Sequence, residues 1–291
     1  MSRSADAPRM TVPRPLLGCD FSSSPTRRKP IVMALGSEAG GRVVLERVER
    51  IESLEAFGAW LAEPREWTGG FDMPFGLPRE LLTHLGWPLT WRESIDHYAA
   101  MRRADIRDTF AAFCDARPQG GKFAHRATDK PAGSSPSMKW VNPPVAWMLH
   151  AGVPLLLAAG VHLPGLHAGH AGDVDDAGVP RRVALEAYPG LLARELIGNR
   201  SYKNDDKAKQ TPERLIARKD IITLLETGQT RLGLRLKLTH AQRDALAADA
   251  SGDSLDATLC MVQAAWAQRQ GAPLYGLPAD MDALEGWIVT S

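Results

Sequence analysis

The first ninety residues switch between two hydrophobic periods. Leu16-Leu17-Gly18-Cys19-Asp20 is an apolar run ending in an acid, and Ser22, Ser23, Ser24 and Pro25 close it, which predicts a strand and then a turn. Ile31–Leu35 and Arg42–Val48 predict two further strands, with Gly36 and Gly40-Gly41 between them as a hairpin connection. Leu54, Phe57 and Leu61 follow Ser53 at i, i+3, i+7, the pattern of a capped helix with one buried face. Trp67–Met73 returns to strand character, giving the order β-β-β-α-β, in which the fourth strand can lie parallel to the first.

From Pro78 to about Ala116 the apolar spacing is helical, residues 117–144 are a polar Gly/Pro/Ser-rich loop, and 145–160 is again helical. A second loop covers 164–180. Arg182–Tyr188 predicts a fifth strand that Pro189-Gly190 stops. Helices are expected near 190–198, 212–226 and 239–249, and a longer one from Ser254 to about Gln270 with Leu255, Leu259, Val262 and Trp266 as its apolar stripe.

Length and composition narrow the class. At 291 residues the chain is two domains or one with a large insertion, and the second reading fits the element order. The expectation is a flexible segment at 1–14 and one α/β domain over 15–291, with a helical and loop insertion at about 78–181. Apolar residues at 44% and charged residues at 24% are ordinary globular values. The net charge of +1 removes the domain-wide basic excess of a dedicated nucleic-acid binder, without excluding local patches. Cys19, Cys114 and Cys260 lie far apart in no CxxC pair, which suits a reducing compartment and argues against a disulfide scaffold or thiolate zinc site. The N-terminal stretch carries arginines without an apolar core, and Val145–Leu166 is broken by Pro, His and Gly. A soluble, cytoplasmic protein without a membrane partner is therefore expected.

The candidate chemistry lies in carboxylates. Asp20 closes the first strand, Asp72 closes the fourth, and Asp253 and Asp256 open the late helix, about 60° apart around its axis. Parallel neighbouring strands would bring Asp20 and Asp72 to one sheet edge, where α/β proteins place ligands. Carboxylates converging there would repel one another unless a divalent cation sits between them, and hard oxygen donors suit Mg²⁺ or Mn²⁺. Such a site supports phosphoryl transfer or phosphodiester hydrolysis. Taken singly, each acid also has an ordinary explanation: Asp20 and Asp72 as turn residues, Asp253 as a helix cap and Asp256 as the acid of a capping box.

In this order the acids resemble the RNase H-like superfamily, most closely the RuvC-type resolvases. The stretches Gly18-Cys19-Asp20-Phe21-Ser22, Gly70-Phe71-Asp72-Met73-Pro74-Phe75-Gly76-Leu77-Pro78, Glu186-Ala187-Tyr188-Pro189-Gly190, Asp253-Ser254-Leu255-Asp256-Ala257 and Glu285-Gly286-Trp287-Ile288 are together similar to family four-two-nine of the domains of unknown function, a large prokaryotic family of predicted nucleases. The resemblance spans about residues 15–289. It implies a mixed five-stranded RNase H-like sheet in β-β-β-α-β-α-β-α order and a metal-dependent nuclease or phosphodiesterase. Asp20, Asp72 and Asp256 would hold the metal, with Asp253 or Glu186 orienting water. The chain departs from the superfamily at strand four, where Asp72 replaces the usual Glu and moves a ligand back by one methylene.

Other candidates are weaker. Ser22 and Ser23 would face a phosphate. The 117–144 loop and the 200–219 segment each carry a local excess of four positive charges, and His125, Arg126, Tyr202 and Lys203 are the phosphate-binding candidates within them. Both segments also read as solvated faces, and Glu186 as a solvent-facing strand residue. His167 and His170 with Asp173, Asp175 and Asp176 read as a surface loop rather than a metal site. No GxSxG elbow supports a serine hydrolase. The competing functions are nucleotide binding or phosphotransfer like the actin and sugar-kinase branch, and a non-catalytic nucleic-acid-binding module. The substrate is open between nucleic acid and a smaller phosphoester.

Overall fold

A computed structural model describes residues 14–291. The expected flexible segment therefore lies outside the described residues except for Arg14. In chain order come β1 (Leu16–Asp20), β2 (Ile31–Ala39), β3 (Arg42–Ile51), α1 (Leu54–Ala62) and β4 (Trp67–Asp72). The insertion supplies α2 (Arg79–Leu85), α3 (Trp91–Ala100), α4 (Arg103–Asp115), α5 (Asp129–Ala132) and α6 (Val145–Ala158). Then follow β5 (Arg182–Glu186), α7 (Pro189–Ile197), α8 (Pro212–Thr227), β6 (Arg235–Lys237), α9 (His240–Ala248) and α10 (Asp253–Gln270).

The sheet has six strands in the order β5-β4-β1-β2-β3-β6, one more than the five expected. β6 escapes a pattern search because it is only Arg-Leu-Lys, too short to show alternation, with Leu236 alone buried. β1 pairs antiparallel with β2 and parallel with β4, and β4 pairs parallel with β5. The hairpin turn falls at Gly40-Gly41, both at positive φ, which glycine adopts without steric cost. Gly36 is not in that turn. It sits within β2 beside a register shift, where a Cβ would lie 2.1 Å from the Val44 carbonyl oxygen.

Successive residues of a strand face opposite sides of the sheet. Leu17, Cys19 and Met33 face one core, built with α1, α2, α3, α4 and α6. Leu16, Val32 and Ala34 face the other, built with α7, α8, α9 and α10. α10 lies directly on β1, β2 and β4 and is buried nearly all round, not along the single stripe expected. Its approach depends on two glycines. A Cβ at Gly18 would fall 1.9 Å from the Ala257 carbonyl oxygen, and one at Gly70 2.4 Å from that of Cys260.

The C-terminal segment stitches the insertion to the sheet. The Glu285 carboxylate accepts from the backbone amides of Arg79 (2.7 Å) and Ala127 (2.8 Å). A Cβ at Gly76 would lie 2.5 Å from the Glu285 carbonyl oxygen, and the Val289 amide donates to Glu186 O at 2.8 Å. Gly76 and Glu285, each within one of the stretches quoted above, thus hold the chain crossing behind the site. Among the described residues no helix is long and apolar enough to cross a membrane.

Candidate metal centre

Asp20 and Asp72 are direct register partners at the C-terminal ends of neighbouring parallel strands. Asp20 shares a face with Leu16 and Gly18, and Asp72 with Gly70, so both carboxylates belong to the side covered by α10. Two residues along a strand advance about 6.6 Å, and one turn of helix advances about 5.4 Å. Stepping from Gly18 to Asp20 and from Gly70 to Asp72 therefore matches stepping from Cys260 back to Asp256. The result is a cluster in which Asp20, Asp72 and Asp256 each offer an oxygen, all within 4.8 Å of one another.

The capping roles that competed for the helix acids are not those observed. The N-cap of α10 is Gly252, in the left-handed region at φ 81°, and it offers no side chain. The Ser254 amide is instead satisfied by Asp249 Oδ2 at 3.0 Å. That leaves Asp256, fully buried, to accept from the Tyr202 hydroxyl at 2.6 Å and from the ammonium of Lys203. Asp253 stands half-buried on the same turn, outside the cluster of three.

The electrostatics follow from burial and crowding. Burial, then repulsion from Asp256, pushes Asp20 well above the usual carboxylate range, with Lys203 pulling the other way. Burial pushes Asp72 up to about 7 against the attraction of Lys203, and Asp256 and Glu186 push it further. Burial also raises Asp253. Lys203 is held strongly protonated because three carboxylates and Tyr202 outweigh the cost of its desolvation. Protons on Asp20 and Asp72 relieve the crowding of three carboxylates around one ammonium, and a hard divalent cation would take the place of those protons among an all-oxygen donor set.

The remaining expected residues are distributed elsewhere. Glu186 is not solvent-facing but 4% exposed, because β4 and the C-terminal segment cover β5. It accepts a bidentate pair from Arg126 at 2.6 and 2.7 Å and the Phe75 amide at 2.9 Å. Arg126 is 2% exposed and also grips Asp129, so its guanidinium is spent inside the protein. His125 is exposed but does not line the cleft beside the cluster. Ser22 and Ser23 follow Asp20 in the turn, with the Ser23 carbonyl accepting from Arg103 at 2.8 Å. Arg218, counted among the surface cations of 200–219, is buried and donates to the carbonyls of Tyr202 and Ala247, which pins the loop that carries Lys203. The segment from His167 to Asp176 contributes to no cluster of potential ligands among the described residues. All three cysteines are buried and free.

Two features had no sequence signal. Nothing along the chain pairs Lys203 with Asp256, 53 residues later. Nothing marks the cleft of about 440 Å³ that opens beside Asp72 and Lys203. No family model, curated protein or solved structure matches the chain.

Proposed function

We propose that the protein is a divalent-metal-dependent hydrolase of phosphodiester bonds on an RNase H-like domain. The observation that carries this reading is the convergence of Asp20, Asp72 and Asp256 with oxygens within 4.8 Å of one another, from two strand ends and a helix N-terminus. The β-β-β-α-β order, with acids closing the first and fourth strands, supports the fold assignment, and β6 extends the sheet at its far edge. Asp20, Asp72 and Asp256 would hold Mg²⁺ or Mn²⁺. When bound, such a cation lowers the pKa of water and offsets charge on a leaving oxygen.

The chain's own groups have definable parts in this. Tyr202 fixes one oxygen of Asp256 and Lys203 the other, so that carboxylate is held in one orientation. The Lys203 side chain is 42% exposed and so also reaches solvent, where it is placed to meet a phosphate oxygen. Asp253, half-buried and raised by burial, lies three residues before Asp256 on α10, where its carboxylate is placed to orient a water. Glu186 acts at a distance, through Arg126 and the Phe75 amide, by fixing the segment after Asp72.

Calorimetry with Mn²⁺ on wild type and Asp20→Asn tests the reading, followed by hydrolysis assays on single-stranded DNA and RNA. Binding that is present in wild type and lost in the variant is the expected result. No binding to either protein sinks it.

A further inference from the structure

Beside the three carboxylates lies a cleft of about 440 Å³, within the roughly 300–1,000 Å³ range of sites that enclose a small ligand. Asp72 and Lys203 stand in its wall, so it is continuous with the cluster. Its other walls are largely apolar, with Met73, Val145, Met148 and Ile288 among them; Arg200, paired with Asp220 at 2.7 Å, and Glu186, paired with Arg126, are the other charged residues of the lining. A site for bare phosphate has no use for such walls.

Tyr188 also lines this cleft, and its ring is held in place. The Arg194 guanidinium lies 5.3 Å over it, and Arg194 Nη1 donates to the hydroxyl at 3.3 Å. A Cβ at Gly190 would fall 2.7 Å from the ring, so this glycine makes room for it. A fixed aromatic ring in an apolar cleft next to cations is the arrangement that stacks a planar base while its phosphate stays among charges.

We infer that this cleft seats the nucleoside attached to the reacting phosphate, so that the substrate is an unpaired nucleotide, at a single-strand end or in a small nucleotide ester, and not a continuous duplex. The inference rests on the phosphodiesterase reading for the position of the phosphate. A base paired and stacked in a duplex must first be extruded to enter such a pocket, and that cost is least for a strand already single.

The test uses the full chain with Mn²⁺ and compares adenosine monophosphate with ribose phosphate by calorimetry. Adenosine monophosphate should bind roughly tenfold tighter, the scale of one base stacked on an aromatic side chain. Tyr188→Ala should erase most of that preference and Tyr188→Phe should keep it. Met148→Trp, which fills the cleft, should block the nucleotide while leaving Mn²⁺ uptake intact. Equal binding of the two phosphates, or no effect of Tyr188→Ala, overturns the inference. A protein that takes up Mn²⁺ without any base preference loses this inference alone. One that prefers the nucleotide but takes up no Mn²⁺ loses the hydrolytic reading and keeps the cleft. Faster cleavage of a single-stranded oligonucleotide than of a dinucleotide assigns the strand end as the source, the reverse assigns the small ester, and equal cleavage of a blunt hairpin counts against both.

Discussion

Lys203 donates a hydrogen bond to Asp256, a carboxylate with no solvent exposure. The ammonium therefore stands where this buried acid meets the half-buried Asp20 and Asp72, and supplies part of the positive charge they require. Replacing it with the near-isosteric Met leaves those charges facing only one another and the Tyr202 hydroxyl. Lys203→Met is expected to lower metal-free stability by about 1–3 kcal/mol and to tighten Mn²⁺ binding several-fold. Denaturant titration and calorimetry check the two effects, and weaker Mn²⁺ binding in the variant would contradict them.

Asp20→Asn removes a ligand and, at the same time, a like charge. Mn²⁺ affinity should fall by more than roughly a hundredfold, the upper effect of residues that merely support a ligand. The metal-free melting temperature should hold or rise, because the raised pKa of Asp20 marks its ionised form as unfavourable in the folded protein. A clear drop in melting temperature without metal would mean that Asp20 is a structural acid.

The pH dependence has a definite sign. Asp72 titrates near 7 in the folded chain against about 3.9 unfolded, and Asp20 is shifted in the same direction. The folded state holds these protons more tightly, so their stabilisation is complete below about pH 4 and is lost as pH rises through about 7. Mn²⁺ competes with the same protons. Thermal scans should show stabilisation by Mn²⁺ growing from pH 5.5 to 8, and a constant increment over that range would contradict the assignment.

Arg126 holds Glu186 and Asp129 together, with all three side chains almost fully buried. Arg126→Met should destabilise the fold by about 3–5 kcal/mol by leaving buried carboxylates uncompensated. Adding Glu186→Gln should recover part of that loss in a double-mutant cycle. Additive single effects would mean that the pair is not coupled.

Gly18→Ala would place a Cβ against the backbone of α10. Overpacking of this kind costs about 1–3 kcal/mol. It should also weaken Mn²⁺ binding, because moving α10 off β1 carries Asp256 away from Asp20. A variant with reduced stability and unchanged Mn²⁺ affinity would separate the helix from the site.

Much of this architecture is legible along the chain because it is local. Apolar runs bounded by turn residues mark β1 and β2, the return to strand character at Trp67–Met73 marks β4, and Val183 and Leu185 alternating with Arg182 and Glu186 mark β5. The Ser53 cap and 3.6-residue spacing mark α1, and the acids that end β1 and β4 stand out because their strands are otherwise apolar. The Ser53 hydroxyl does accept from the Ala56 amide, at 3.1 Å. β6 was hidden because three residues hold no period, and the full burial of α10 because a helix covered on every side by other elements needs no single stripe.

The site divides the same way. The residue types and the strand-end positions of Asp20 and Asp72 belong to the sequence. That the two face each other follows from parallel pairing, which is set by packing across the whole sheet. That Asp256 joins them, that Asp249 takes over the capping of α10, that Lys203 reaches in from a loop and that Arg126 is consumed by Glu186 are decisions of tertiary structure. Apart from the Asp249–Ser254 bond, which spans five residues, each depends on contacts between residues tens to hundreds of positions apart, where charge and burial act through space and leave no pattern along the chain.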